Sequence, residues 1–481
     1  MKLSKIIENL ENVKVIGNTD IDISEIVHDS KTVVKNSLFV CLDGANFDGH
    51  DYVGQAERYG ARAVVVEREV QTNLAQIIVD DTRRALPLLC SSFYEHCDKK
   101  LKIIGVTGTN GKTTTTHLIY SILNSSKIKC GLIGTIGIFY NDKFLDANLT
   151  TPDPPELFKV LYNMYNDGVE VVVMEVSAHA IFLEKIYGMT FKIGVFTNLT
   201  LDHLDFFETL ENYKQTKLKF FKNNICEYVV TNSDDETGRE IISMNKKTIT
   251  YGLENPSEVF AIDVACDKSS TQFVINLFDY VYQLRLNLLG QYNVYNALAS
   301  SVCAIILGVK PEKIMTAFEQ AEVISGRLEK VYDKKFTVFI DYAHTPDGLE
   351  KSLKTLKQFA NKRLICIFGC GGNRDKTKRK IMGEVSSELA DFTIITTDNP
   401  RYEDPMEIIN EIEKGVIDKG GEYIIIQDRY EAIEYGLSHA RNGDVLLIAG
   451  KGCEKYQEVF GIKKLFNDKD TVKEIMLGEK D

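Results

Sequence analysis

Leu101–His117 reads LKIIGVTGTNGKTTTTH. The apolar run Leu101–Val106 predicts a buried strand, and Thr107–Gly111 a small glycine-bearing turn. The segment from Lys112 and Thr113 onward predicts a helix. Strand, glycine turn, Lys-Thr and helix is the order that cradles nucleotide phosphates. Backbone N–H groups and the helix N-terminus face the anion, Lys112 brings a point charge to it, and Thr113 can reach Mg²⁺. The common phosphate loop, G-x-x-x-x-G-K-[ST], requires glycine at position 106. Here Val106 stands there, and the motif is G-x-x-G-K-T through Gly108, Gly111, Lys112 and Thr113. A tight turn with an incidental lysine is the competing reading. The apolar strand before it and the helix after it favour phosphate, with Gly108, Thr109, Asn110, Gly111, Lys112, Thr113 and Thr114 as the contacts and ATP as the nucleotide.

The 481 residues exceed one ordinary core, so about three domains are expected. The chain is 44% hydrophobic, with nine prolines and no low-complexity tract, which argues against long disordered linkers. A net charge of −12 disfavours nucleic acid as a partner. No apolar run is long enough to span a bilayer. MKLSKIIENLENVKV reads as a short amphipathic helix rather than a signal peptide. The ten cysteines are scattered without a C-x-x-C pair, so reduced, buried thiols in a cytoplasmic protein are expected.

The expected fold is α/β in three domains. Residues 1–98 form a small α/β domain with short strands at Val13–Ile16, Leu38–Leu42, Ala63–Val66 and Gln76–Val79, then a helix over Thr82–His96. Residues 99–330 form a central, mostly parallel sheet of the phosphate-loop type. Its strands are Lys102–Val106, Val169–Met174, Ile193–Thr197 and Glu227–Thr231, with an antiparallel extension in Val259–Leu288. Residues 331–481 form a doubly wound, Rossmann-like domain. Its strands are Phe336–Ile340, Leu364–Phe368, Phe392–Thr396, Tyr423–Ile426 and Val445–Ile448, with helices near 348–360, 376–390, 405–415 and 429–441.

Ligands of open parallel sheets gather beyond the carboxyl ends of the strands. Glu175 closes one central strand and suits a Mg²⁺ ligand. Asn198, Asp202, His203 and Asp205 follow another, with His203 a candidate second ligand. Asp341, Tyr342 and His344 follow the first strand of the third domain. Three further strand ends there carry Arg374, then Asp398–Asn399–Pro400–Arg401, then Gly450–Glu454. Two arginines, an amide and a carboxylate suit a zwitterion with more than one carboxylate. Arginine binds carboxylates in bidentate fashion and Glu454 can take an ammonium. A structural ion-pair cluster is the alternative.

Motifs spread along the whole chain resemble the Mur ligase family. They are HDSK (28–31), DGH (48–50), TGTNGKTT (107–114), TTPD (150–153), MEVSAH (174–179) and NLTLDHLD (198–205). They continue with YKQTK (213–217), GQYNVYN (290–296), SGRLE (325–329), DYAHTPD (341–347), GGNRDKTKR (371–379), DNPR (398–401) and GKGCE (450–454). The closest likeness is to the branch that adds the third residue of the peptide.

That resemblance implies an ATP-dependent ligase of peptidoglycan precursor synthesis, and so of cell-wall biogenesis, cell shape and division. An acyl phosphate forms on the peptide carboxylate of UDP-N-acetylmuramoyl-L-alanyl-D-glutamate, and the amine of meso-diaminopimelate attacks it. Lys112, two Mg²⁺ ions and the loop amides neutralise the developing charge. Thr113, Glu175 and His203 map onto metal ligands. Lys217 maps onto a lysine carried as a CO₂-derived carbamate (N6-carboxylysine), although the residues alone make it a solvated helix position. Lys112, Lys217 and His203 are the implied catalytic groups. Asn293 and Asn296 fall near the adenine, and Arg327 and Asp341 on phosphate and ribose. Ser30, Ala45 and Asn46 face the uridine end, and Thr150, Thr151, Ser177 and Lys185 the sugar and diphosphate. Arg374, Asp398, Asn399, Arg401, Gly450 and Glu454 make the amino-acid pocket. The resemblance implies a soluble monomer with no nucleic-acid or membrane partner.

Cys453 stands for the usual histidine of GKGHE, Lys185 for an arginine, and Ala178 for the second serine of EVSSH. Lys185 keeps the charge but loses the bidentate fork. A sister ligase adding L-lysine, or glutamate to a folate, is one alternative, which the arginine of DNPR disfavours. A phosphate-loop ATPase or switch without ligation is another, which the amino-acid-like pocket disfavours.

Overall fold

Unbroken runs of Val, Ile, Leu and Phe build the parallel strands, because helices cover both faces of such sheets and leave no solvated side. The computed structural model describes residues 1–44 and 47–478. Ala45 and Asn46, expected at the uridine end, lie outside the described residues. The chain divides into two units: Met1–Thr107, Lys127–Gly194 and Thr216–Val229 form one, and Gly108–Ser126, Val195–Gln215 and Val230–Asp481 the other. The strands Phe191–Phe196 and Cys226–Asn232 carry the chain across the division.

The first unit opens with a five-stranded sheet in the order Lys14–Ile16, Ala75–Ile78, Ala63–Val66, Ser37–Val40, Glu25–Val27. Its first pair is antiparallel and the rest parallel. The N-terminal helix is only Leu3–Ile6, shorter than the sequence pattern suggests. A turn bonds Leu10 N to Ile7 O, and Asn12 takes φ +54°, a conformation asparagine tolerates and helices do not. The helix Thr82–Phe93 likewise stops early, at Glu95 and His96 with positive φ. In the same unit Val171–Glu175 runs parallel to both Lys102–Thr107 and Cys130–Ile133. Glu175 is in register with Val106, so an acid closes this pair.

In the second unit the helix Lys112–Ser125 packs on the helix Gln291–Ile306, where Ser300 Oγ donates to Thr115 O at 3.3 Å. Val259–Cys266, Thr271–Leu277 and Tyr280–Leu286 form the expected antiparallel extension, and Val259–Cys266 joins the sheet by running parallel to Thr248–Gly252. Residues 329–449 wind a six-stranded sheet. Its order is Glu329–Asp333, Thr337–Asp341, Val445–Ala449, Leu364–Phe368, Phe392–Ile395, Tyr423–Ile425, and only the first strand is antiparallel. Alternate strand residues feed two cores. Phe339, Cys366 and Leu447 pack with Leu353, Met382 and Ile412 on one face. Ile340, Ile367 and Ile448 pack with Ile433, Leu437 and Val472 on the other. That is the doubly wound arrangement.

Candidate active site

The turn after Lys102–Thr107 is shaped by two glycines that admit no side chain. Gly108 has φ +149°, and a Cβ there would lie 1.9 Å from Thr197 Oγ1. Gly111 has φ +86°, and a Cβ would lie 2.6 Å from Asn296 Oδ1. Neutral contacts fix the rest. Thr109 N donates to Asn198 O at 2.8 Å, Asn110 N to Asn198 Oδ1 at 3.0 Å, and Thr197 Oγ1 to Asn110 O at 2.6 Å. Lys112 Nζ folds back onto Gly108 O at 2.9 Å and Thr109 O at 2.7 Å. A phosphate seated in the loop would exchange for these carbonyls.

A cavity of about 480 Å³ opens beside the loop. Asn110, Gly111, Thr114, Asn293, Asn296, Arg327 and Asp341 all line it, so the structure gathers residues that stand far apart in sequence. Asn296 Oδ1 accepts from Thr115 Oγ1 at 3.2 Å, and its Nδ2 donates to Asn293 Oδ1 at 2.8 Å. Arg327 Nη2 donates to Thr113 Oγ1 at 2.8 Å, and its guanidinium stacks 4.6 Å from the Tyr342 ring centroid. Asp341 accepts from Leu328 N, Ala343 N and Ser352 Oγ. Burial raises its pKa, against the opposing charge of Arg327.

Asp202, buried beside His203, has partners the sequence did not suggest. Its carboxylate lies 3.3 Å from His203 Nε2, 3.8 Å from His344 Nε2 and 3.5 Å from Lys378 Nζ. Burial pushes Asp202 up, but His344, Lys378 and His203 outweigh it and hold the carboxyl well below its usual range. His344 is pushed down to about 4, mainly by burial and then by Lys378, with Asp202 opposing.

In the first unit, Glu175 is fully buried. Its Oε1 accepts from Thr135 N at 2.9 Å and its Oε2 from Thr135 Oγ1 at 3.1 Å. Thr150 Oγ1 lies 3.0 Å from Thr135 Oγ1. Thr151 Oγ1 donates to Glu175 O at 2.8 Å and accepts from Ser177 N at 3.0 Å. Thus Thr150, Thr151, Glu175 and Ser177 meet in one cluster, joined through Thr135, which the sequence did not single out. Lys185 Nζ pairs with Asp153 Oδ1 at 2.7 Å, and His28 Nε2 lies 3.8 Å from Asp153 Oδ2. Ser30 is buried in the short 3₁₀ turn Ser30–Thr32.

Lys217 is 1% exposed, which corrects the solvated position read from its helix. Leu210–Lys219 has little apolar stripe, yet Tyr213, Thr216, Lys217 and Leu218 are all buried. Among the described residues no three His, Cys, Asp or Glu side chains gather as a metal cage. Taken singly, the carboxylate of Glu175 and the hydroxyl of Thr113 are oxygen donors of the kind Mg²⁺ takes, with waters and substrate phosphates completing its shell.

The strand ends of the six-stranded sheet bring Arg374, Asp398–Arg401 and Gly450–Glu454 together. A Cβ on Gly371 would touch Arg401 Nη1 at 2.9 Å and Arg374 Cγ at 3.7 Å. Asn399 Nδ2 donates to Glu454 Oε2 at 2.8 Å. A Cβ on Gly450, at φ +109°, would lie 2.6 Å from Asp398 Oδ2. Three buried cations unseen in sequence hold these loops. Lys451 Nζ donates to Asn399 Oδ1 at 3.0 Å and Glu454 Oε2 at 2.9 Å. Arg379 binds Glu403 through both terminal nitrogens and Glu411 through one. Arg429 pairs with Asp468 at 2.8 Å through two nitrogens and donates to Ala449 O at 3.0 Å.

Among the described residues no helix is long and apolar enough to cross a membrane. The ten cysteines are free thiols, all buried except the half-buried Cys266 and Cys453.

Three family models match the chain. "Mur ligase family, catalytic domain" covers residues 22–94, "Mur ligase middle domain" 106–304 and "Mur ligase, glutamate ligase domain" 326–452. The chain is 41% identical over 483 residues to UDP-N-acetylmuramoyl-L-alanyl-D-glutamate--2,6-diaminopimelate ligase 1 of Clostridium acetobutylicum, covering 99% of both. It is 39% identical over 487 residues to the ligase of that name from Bacillus cereus, again covering 99% of both. A solved structure of a UDP-N-acetylmuramoyl-L-alanyl-D-glutamate--2,6-diaminopimelate ligase matches at TM-score 0.70 and 29% identity, over 99% of each chain. The MurF ligase of Thermotoga maritima in complex with ADP shares the fold at TM-score 0.64 and 22% identity, over 88% of this chain and 93% of that one.

Proposed function

The chain belongs to the Mur ligase family, and on that premise we propose that it joins meso-diaminopimelate to UDP-N-acetylmuramoyl-L-alanyl-D-glutamate at the expense of ATP. The reaction serves peptidoglycan precursor synthesis. The observation that carries this reading is full-length identity of about 40% to ligases bearing that name. The clustering of Arg374, Asn399, Arg401 and Glu454 at adjacent strand ends supports it.

The chemical problem is charge, since a carboxylate must approach a polyanion. In this reading ATP occupies the cavity lined by Asn293, Asn296, Arg327 and Asp341. Lys112 leaves the loop carbonyls for the β- and γ-phosphates, and the loop amides face the same oxygens. Thr113, Glu175 and His203 are the residues that would hold Mg²⁺, which would supply electrostatic stabilisation of the transferring phosphoryl group. Lys217, 1% exposed, would carry the carbamate, which would replace a costly buried ammonium by an anion able to serve as a metal ligand. Ser30, Thr150, Thr151, Ser177 and Lys185 hold the UDP-sugar. The acyl phosphate so formed meets the amine of the incoming residue, which Arg374 and Arg401 orient through its carboxylates.

The test is ADP release with UDP-N-acetylmuramoyl-L-alanyl-D-glutamate and each candidate amino acid in turn. Turnover should require meso-diaminopimelate. Faster turnover with L-lysine would move the chain to the sister activity. ADP release indifferent to any amino acid would make it a non-ligating ATPase.

A further inference from the structure

Tyr456–Val459 and Ile462–Leu465 pair antiparallel into a hairpin that belongs to none of the three larger sheets. Its outer strand is wholly exposed, so apolar burial does little to hold it. Polar contacts fasten it to Asp398–Arg401 instead. Gln457 Nε2 donates to Asp398 O at 2.8 Å, and Glu458 N donates to Asn399 Oδ1 at 2.9 Å. Arg401 N donates to Glu458 O at 3.1 Å, and Phe460 N donates to Arg401 O at 2.6 Å. Arg401 has φ +50°, a conformation an arginine pays for, and these two bonds over-determine it. The guanidinium then donates through Nη1 to Gly372 O at 2.8 Å, with Nε 3.5 Å from Glu458 Oε2. Both side chains are half-buried.

Glu458 therefore sets a carboxylate against the arginine proposed above to take a carboxylate of the incoming amino acid. A second carboxylate brought alone would meet one guanidinium already shared, and like charges in a half-buried site repel. A ligand centre that carries both ammonium and carboxylate matches the pair, carboxylate toward Arg401 and ammonium toward Glu458. Of the other acids of the pocket, Glu454 already accepts from Lys451 and Asn399, and Asp398 Oδ1 accepts from Asn399 N at 2.6 Å. We infer that Glu458 is a specificity-determining residue that makes this site select an amino acid whose far end is a zwitterion over one whose far end is a bare carboxylate. The inference rests on the functional reading above.

The experiment compares wild type, Glu458→Gln and Glu458→Asp, as full chains with ATP, Mg²⁺ and the UDP-linked dipeptide. The acceptors are meso-diaminopimelate and 2-aminopimelate, which has the same length without the far amine. Glu458→Gln keeps the side chain's size and both backbone bonds to the hairpin. It should raise KM for meso-diaminopimelate about tenfold or more, the size of one charge-assisted hydrogen bond. KM for 2-aminopimelate should stay or fall, kcat should hold for both, and Glu458→Asp should lie between. An equal rise in both KM values, or no change in either, would make Glu458 a hairpin anchor and overturn the inference alone. A wild type that uses neither acceptor overturns the functional reading, and this inference with it.

Discussion

Around the phosphate loop most fixing contacts join neutral groups, such as Thr109 N to Asn198 O, Asn110 N to Asn198 Oδ1 and Asn296 Nδ2 to Asn293 Oδ1, with Asn110 Nδ2 on Asp347 and Arg327 on Thr113 as exceptions. Around Asp398–Glu454 they join charges, with Lys451 on Glu454, Arg379 on Glu403 and Glu411, and Arg429 on Asp468. The two regions prepare for different guests. A polyphosphate brings its own charge, so a largely neutral cradle with the Lys112 ammonium can receive it. A zwitterion brings almost none, so its pocket needs balanced charges of fixed geometry. Losses in the first region should therefore strike the reaction, and losses in the second both binding and stability.

The largest expected effect follows on the nucleotide side. Lys112→Ala should abolish ligation, a loss beyond the roughly 10²–10³-fold in kcat that one electrostatic donor is worth. Thermal unfolding should move far less than activity, because the ammonium of Lys112 donates to Gly108 O and Thr109 O, two carbonyls of its own turn. Lys217→Ala should be nearly inactive and partly rescued by a short carboxylic acid, while Lys217→Arg should stay inactive. Near-native turnover of Lys112→Ala or Lys217→Arg would break the division between the two regions.

On the amino-acid side the expected cost is to the fold. Arg429 and Asp468 are both fully buried, so Arg429→Met leaves an unpaired carboxylate and should remove about 3–5 kcal/mol of stability. A double replacement, Arg429→Met with Asp468→Leu, should recover much of that loss. Arg429 also donates to the carbonyls of Thr397 and Ala449, just before Asp398 and Gly450. KM for the amino acid should therefore rise in the double variant while KM for ATP holds. Denaturant titration and steady-state kinetics check both halves.

The same contrast explains what could be read in the sequence. The glycine turn, its lysine and the apolar strands are local signals, and the strands of the third domain fall within a few residues of their expected places. Arg374, Asn399 and Glu454 were legible as strand-end residues because a parallel sheet gathers its carboxyl ends. Lys451, Arg379 and Arg429 were not, since buried cations have no local mark and are rare. Lys378 and His344 join Asp202 only through tertiary packing. The hairpin left one faint trace, Phe460–Gly461 between two short runs with apolar ends, Tyr456–Val459 and Ile462–Leu465. Lys217 shows the limit from the other side. Its helix looks polar, yet Lys217 is buried together with Leu218, Phe220 and Phe221, a cover that no helical period reveals.

A smaller effect sharpens the amino-acid side. Arg401→Ala removes a charge-assisted contact and should cost roughly 1.5–3 kcal/mol in binding meso-diaminopimelate. KM for ATP should change far less. Equal rises in both would mean that Arg401 supports the domain and not the ligand.

The smallest effect is one of pH, and it separates the regions by window. Burial, with Lys378 adding and Asp202 opposing, lowers the pKa of His344 from 6.5 to about 4. Between those values the unfolded chain binds more protons than the folded one, so stability falls as pH drops from 6.5 toward 4 and levels off below. The Arg379 hydrogen bond, over the opposing effect of burial and with Asn373 N–H and Lys376 adding, lowers Glu403 from 4.5 to about 2. Its contribution is whole above 4.5 and is lost as pH falls through 2. Acid should thus loosen the nucleotide side first. Thermal unfolding from pH 7 downward should show a wild-type decline between 6.5 and 4 that flattens in His344→Gln and persists in Glu403→Gln. Glu403→Gln starts lower, because it leaves Arg379 short of a partner, and below 4.5 its profile should be shallower than wild type. A His344→Gln profile parallel to wild type throughout would show that the imidazole is not held neutral, and would remove the difference in acid response between the two regions.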